Sequence, residues 1–248
     1  MSKKVFHFVP NTITCLNLFC GCMSIISSLH GVLETAAYFV FAAAVFDFLD
    51  GFAARWLQAY SAMGKELDSL ADVVSFGVAP AVIMYVLLLT TAENQGFTTE
   101  AYSSGWWVVA SAFILAVFSA LRLAKFNIDT RQTDSFIGLP TPANALFICS
   151  LAFISPANHL LSVLTGNLFF LLAVIVVFSY LLVSELSLFS LKFKSFDWKS
   201  NQIRYIFVIA SAIILIIFHW VGLALVILVY VILSIFTNIF CNRKVTAS

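Results

Sequence analysis

The chain has 248 residues, of which 62% are hydrophobic and 10% charged, with a formal net charge of +1. Soluble domains are closer to about a quarter charged, so this composition excludes an ordinary soluble domain. The near-zero net charge without basic clusters excludes nucleic acid as a partner. What remains is an all-α, polytopic membrane bundle in one integral domain. Five cysteines, an odd number without metal-ligand spacing, argue against a disulfide framework and a zinc site.

Residues 1–10 carry Lys3, Lys4 and a run of aromatic and apolar residues up to Pro10, and read as a cytoplasmic or interfacial lead. The run that follows contains Asn11, Asn17 and Gly21 and continues past Leu29, which a cleaved signal peptide would not do. Hydropathy and length place membrane helices at about 11–32, 35–57, 65–90, 106–126, 142–156, 165–184, 203–219 and 221–240. The fifth is short and is expected to end at Pro156. Residues 185–202 then form a cytoplasmic loop, 203–240 two further helices and 241–248 a tail.

Charge placement tests the count of eight. All 13 Lys and Arg fall in the N-terminal lead, the tail, or the loops and helix ends on the N-terminal side. The loops near 31–35, 91–105, 157–164 and 219–221 hold none. Both termini are therefore expected in the cytoplasm. Trp56, Trp106, Trp107, Trp198 and Trp220 fall at expected span ends, as an aromatic belt requires.

Within the first helix, Asn11, Thr14 and Asn17 share one face. Buried amides and hydroxyls need partners, so they bond either to neighbouring helices or to a ligand. The second and third helices carry four aspartates, Asp47, Asp50, Asp68 and Asp72, inside long apolar runs. An unpartnered mid-membrane Asp costs about 2.5–3.5 kcal/mol, so four would cost roughly 10–14 kcal/mol. Only Arg55 and Lys65 lie close in sequence, too few to neutralise them. Bound divalent metal is the economical source of positive charge, and hard oxygen ligands suit Mg²⁺ or Mn²⁺. Asp47 and Asp50 are spaced i, i+3. Gly64, Asp68, Asp72 and Ser75 form a stripe on the next helix. Small residues at Gly51, Ala54 and Gly64 would let the two helices approach closely, facing each other with two carboxylates apiece. Two metals bridged by carboxylates can hold a pyrophosphate and stabilise entering and leaving oxygens. A cation transporter is the alternative from another class. It predicts inverted repeats and broken mid-membrane helices, and no such repeat is evident.

Further along, Pro80 reads as a kink one to two turns past the aspartates. The fourth helix ends Leu121-Arg122-Leu123-Ala124-Lys125-Phe126-Asn127. The loop continues through Arg131 to Gly138-Leu139-Pro140-Thr141-Pro142, a stiff turn. Arg122 is placed to grip a phosphate or carboxylate, and Lys125 to a lesser degree, while anchoring by the positive-inside rule is the plainer role open to Arg122, Lys125 and Arg131 alike and favoured for Arg131.

The pattern Asp47-x-x-Asp50-Gly51-x-x-Ala54-Arg55, eight residues, Gly64-x-x-x-Asp68-x-x-x-Asp72 resembles the signature of the CDP-alcohol phosphotransferases. Every motif position is filled at the expected spacing. Ser75-Phe-Gly-Val-Ala-Pro80, the Arg122–Asn127 helix end and the Gly138–Pro142 turn resemble the phosphatidylserine synthase branch. Asn144 stands where that branch usually carries a small residue. The resemblance covers residues 10–145; the last three helices match only as apolar spans.

The resemblance implies a six-helix catalytic core over 11–184 in a bacterial inner membrane, with the site facing the cytoplasm and a homodimer as the assembly. It implies transfer of phosphatidyl from CDP-diacylglycerol to L-serine with release of CMP. Glycerol-3-phosphate or inositol phosphate is the alternative acceptor. Carried over residue by residue, Asp47, Asp50, Asp68 and Asp72 bind two divalent cations, and Asp72 is the general base. Asn11, Thr14, Gly51, Ala54, Arg55 and Gly64 face the CDP donor. Ser75, Arg122, Lys125, Gly138, Pro140 and Pro142 face serine or phosphate.

Overall fold

The structure is a computed structural model and describes residues 8–129, 136–154, 159–188 and 197–245. Arg131, Pro156, Lys192 and Lys194 lie outside the described residues, as do Lys3, Lys4 and the end of the tail. Helix α1 spans Phe8–Leu29 and α2 spans Leu33–Trp56. Between them Gly31 adopts φ +77°, the left-handed value that closes a helix at its C-terminus. The two helices pack along their lengths as an antiparallel hairpin. A five-residue turn, 57–61, then leads to α3, where the Ser61 hydroxyl caps the helix by accepting the Gly64 N–H at 2.9 Å.

Helix α3 spans Ala62–Asn94, and its middle is not α-helical. Residues Val73–Val78 form a π-helical stretch, with the Ala79 N–H reaching back five residues to the Val74 carbonyl. Pro80 supplies no N–H at the next position, so the kink expected there takes the form of a π-bulge. This stretch is the hub of the bundle, packed by α1 on one side and by α4, Ser104–Ile128, on another. Two glycines make that packing close. A Cβ on Gly21 would lie 2.5 Å from the Ser75 Oγ, and one on Gly77 would lie 3.2 Å from the Ser119 Cβ.

Helix α5 is Thr141–Leu151, α6 is His159–Thr165 and α7 is Leu168–Val183. The fifth expected span is thus corrected: α5 stops before 156, and its 11 residues rise about 16 Å, half a hydrocarbon core. Helices α8, Trp198–Phe218, and α9, Gly222–Val245, form a hairpin about His219, which sits at φ +50°. Phe207 and Tyr230 meet across it, ring centroids 5.8 Å apart. The hairpin leans on the core through α9 against α5, and through Trp220, which packs on Tyr38 and Phe41 of α2. The helices otherwise follow the expected spans to within about a turn.

The chain is an all-α polytopic membrane bundle with one small exception. Strands β1, Phe136–Ile137, and β2, Ser187–Leu188, pair antiparallel beside the end of α7. Among the described residues, five helical stretches are long and apolar enough to cross a membrane, counting the α8–α9 hairpin as one. The apolar core runs through Val40 of α2, Met84 and Leu88 of α3, Leu115 of α4, Ile148 of α5 and Ile175 of α7.

Candidate active site

Three carboxylates converge where α2 ends and α3 begins. Asp47, Asp50 and Asp68 each place one oxygen within 4.8 Å of the others. Among the described residues, no Lys or Arg forms a salt bridge with any of the four aspartates. A cluster of formal negative charge with no cationic side chain, in an apolar bundle, is a donor set that fits a hard divalent cation. Asp72 stands one helical turn further on and is not in that close group.

Helix α1 holds this constellation together. The Thr14 hydroxyl donates to Asp50 Oδ2 at 2.6 Å, and the Asn17 amide donates to Asp72 Oδ1 at 3.2 Å. Both polar residues are buried. Of the two readings of the Asn11–Asn17 face, helix-to-helix bonding therefore holds for Thr14 and Asn17, and their partners are the acidic groups themselves. Beside the aspartates, α2 and the start of α3 both lean chiefly on α1, which carries a hydrogen bond to each, while α2 and α3 meet directly further along. The glycines follow suit. A Cβ on Gly64 would come within 3.0 Å of the Asn11 Oδ1 on α1, whereas one on Gly51 would meet only the Arg55 side chain, at 3.8 Å.

The space left open is a pocket of about 200 Å³ beside the triad. Asn11, Thr14, Asp50, Gly51, Ala54, Gly64 and Asp68 line it, so five of the six positions expected to face a donor meet at one cavity. Arg55 is exposed and lies back over Gly51 without joining the lining. Tyr60 and Lys65 also line the pocket. Sequence reasoning gave neither a ligand role. Tyr60 sits in the eight-residue spacer, where nothing in the pattern marks it.

The residues expected on the acceptor side are more scattered. Ser75 is fully buried and donates to the Asn17 backbone carbonyl at 3.0 Å, locking α3 to α1 rather than facing the pocket. Arg122 is buried against the bundle. Its guanidinium donates to the Thr141 hydroxyl at 3.3 Å and stacks over Phe126 at 4.8 Å. Lys125 pairs with Glu185 at 2.5 Å, a partner that sequence reasoning missed because 60 positions separate them. Gly138 adopts φ +76°, and a Cβ there would lie 2.6 Å from the Leu182 carbonyl. Its N–H bonds Leu186, and that of Leu139 bonds Leu181. These bonds dock the turn onto the end of α7. Pro140 and Pro142 follow as the start of α5. The turn is therefore held in place by its own backbone N–H groups.

Comparison with known proteins points the same way as this geometry. The sequence model of a family described as CDP-alcohol phosphatidyltransferase matches residues 7–181. A Bacillus subtilis protein named CDP-diacylglycerol–serine O-phosphatidyltransferase is 37% identical over 147 residues, covering 59% of this chain and 76% of the relative. A Helicobacter pylori protein of the same name is 35% identical over 188 residues, covering 75% of this chain and 73% of the relative. A third, from Methanocaldococcus jannaschii, is 37% identical over 149 residues, covering 59% and 66%.

Proposed function

Since the chain belongs to the CDP-alcohol phosphatidyltransferase family, we propose that it transfers the phosphatidyl group of CDP-diacylglycerol to the hydroxyl of L-serine. The observation that carries this reading is the convergence of Asp47, Asp50 and Asp68 beside an open pocket, in a chain similar over most of its core to enzymes named for that reaction. The serine oxygen attacks the phosphatidyl phosphorus. The bond from that phosphorus to the bridging oxygen breaks, and CMP leaves with that oxygen.

Each group of residues has a part. The nucleotide and its phosphates occupy the pocket, against Asn11, Thr14, Ala54 and the open backbone at Gly51 and Gly64. Arg55, at its edge, meets phosphate. Asp72 takes the proton of the serine hydroxyl, and the Asn17 amide holds its other oxygen in place. Asp47, Asp50, Asp68 and Asp72 would hold two divalent cations, Mg²⁺ or Mn²⁺, which when bound polarise the phosphates and stabilise the departing CMP. Arg122 provides the buried cation for an acceptor anion. Lys125 and the Gly138–Pro142 turn support it from the loop side. The site opens to the cytoplasm, following the placement of basic residues, so water-soluble serine and membrane-borne donor reach it from different directions.

The test is CMP release by purified protein with CDP-diacylglycerol and Mn²⁺ or Mg²⁺. Serine, glycerol-3-phosphate and inositol phosphate are offered separately. Release with serine alone, abolished by chelator, is the expected result. Release with one of the other alcohols would keep the family and remove the serine assignment.

A further inference from the structure

The open pocket contains two side chains that no motif position marks and that the donor reading leaves without a part, Tyr60 and Lys65. Among the described residues that line it, Tyr60 is the one aromatic ring and Lys65 the one cation. Tyr60 is 69% exposed, so its ring is not packed into the bundle. Lys65 is exposed as well. Among the described residues it forms no salt bridge, although Asp68 lines the same pocket. An open ring face and an unpaired ammonium group at one cavity are both available to a ligand.

The turn that carries Tyr60 is fixed at both ends. Helix α2 finishes in a Schellman cap. The Gln58 N–H bonds the Arg55 carbonyl at 3.3 Å, and the Ala59 N–H bonds the Ala54 carbonyl at 2.9 Å. Gln58 takes the left-handed position of that cap at φ +50°, where glycine is usual and a side chain is strained. Ala59 is buried, and Ser61 caps the start of α3. The backbone on either side of Tyr60 is therefore set before any ligand arrives, which lowers the ordering cost of binding.

Positions along α3 order the pocket. At 1.5 Å per residue, Lys65 stands about 5 Å and Ser61 about 10 Å from the level of Asp68, toward the turn. Carboxylates thus occupy one end of the pocket, and Tyr60 enters from the turn at the other. A nucleoside diphosphate has the same order, with charged phosphates at one end, a flat aromatic base at the other and a ribose between them.

We propose that Tyr60 is the face on which the cytosine of the donor stacks, and that Lys65 bonds the phosphate that departs in CMP. The turn and the first helical turn of α3 then read the nucleoside, while the aspartates keep the phosphates. The proposal rests on the donor half of the previous subsection's reading and is independent of which alcohol is the acceptor.

The test is displacement of radiolabelled CMP from the full-length protein in detergent with Mg²⁺. The competitors are CMP itself, cytidine, which lacks the phosphate, and ribose 5-phosphate, which lacks the base. Tyr60→Leu should weaken CMP and cytidine by about tenfold, the size of a base–aromatic stack, and leave ribose 5-phosphate at its wild-type strength. Tyr60→Phe keeps the ring and should behave as wild type with all three. Lys65→Gln should weaken CMP and ribose 5-phosphate by about three- to fivefold, the size of a solvent-exposed ionic contact, and leave cytidine unchanged. In turnover, the KM for CDP-diacylglycerol should rise in step with the CMP constant of each variant. Both side chains are exposed, so the variants should fold as the wild type does. A Tyr60 that only anchors the turn at the membrane interface would give a Tyr60→Leu protein of lower unfolding midpoint and wild-type CMP affinity, which would overturn the proposal. Equal weakening of cytidine and ribose 5-phosphate in Tyr60→Leu would overturn it too. Wild-type protein that binds no CMP would overturn the donor reading and the proposal with it.

Discussion

Two neighbouring positions on one face of α1 differ in how they treat polar groups. At the first, Thr14 meets Asp50 beside an open pocket, where small residues leave backbone bare. At the second, only three residues along, Asn17 meets Asp72 in a closed region where Gly21 and Gly77 let helices come into contact. The same class of residue thus has opposite settings. A Cβ on Gly51 would meet only the Arg55 side chain, whereas one on Gly21 would strike Ser75. Two polar residues one helical turn apart therefore support two carboxylates in different surroundings.

The largest effect should come from the triad, which belongs to the open position. Asp68→Asn should lower CMP release by about 10³-fold, since charge stabilisation by a held cation is worth several kcal/mol. Chelator should do the same to the wild type, and an Asp68→Asn enzyme of normal rate would break the comparison at its root. Asn17→Leu, at the closed position, should reduce kcat by about 10²-fold through misplacement of Asp72. Its metal concentration for half-maximal rate should rise as well, since Asp72 also holds metal. Thr14→Val should raise the metal requirement by about 10–100-fold, as loss of a ligand's supporting bond does, with a smaller loss of kcat. Metal titrations of the two variants side by side decide whether α1 divides its work as described.

Glycine substitutions give smaller and opposite readouts. Gly21→Ala would force a Cβ against Ser75 and should cost about 1–3 kcal/mol, read as a lower midpoint of thermal unfolding in detergent. Gly51→Ala has open space and should unfold like the wild type, while its donor KM rises several-fold, about 1 kcal/mol of lost binding. If Gly51→Ala unfolds early and Gly21→Ala does not, the assignment of the two positions is reversed.

Much of this was legible beforehand because membrane burial magnifies charge. Aspartates among apolar residues stand out, and their spacing on two helices limits which faces they share. The kink near Pro80 was also readable, since a missing N–H must disturb the ladder. Its form was not: whether a helix answers with a bend or a π-bulge depends on what packs there, here α1 and α4. Lys125 illustrates the limit from another direction. Its place at a helix end was plain, but its partner Glu185 comes from just beyond α7, which packs beside α4.

The sequence by itself determined the membrane class, the approximate spans, the placement of basic residues and the four aspartates, because each depends on local hydropathy, charge or helical periodicity. Only the tertiary structure decided that α1 carries a hydrogen bond to each acidic helix and that α5 falls short of a full crossing. It also decided that the N–H groups of Gly138 and Leu139 bond the end of α7 and the residues after it, and that Arg122 is buried without a salt bridge among the described residues. These are properties of which helix lies beside which. Many packings satisfy the same apolar pattern, and the choice among them is made by close approaches such as Gly21 on Ser75, which no single segment contains.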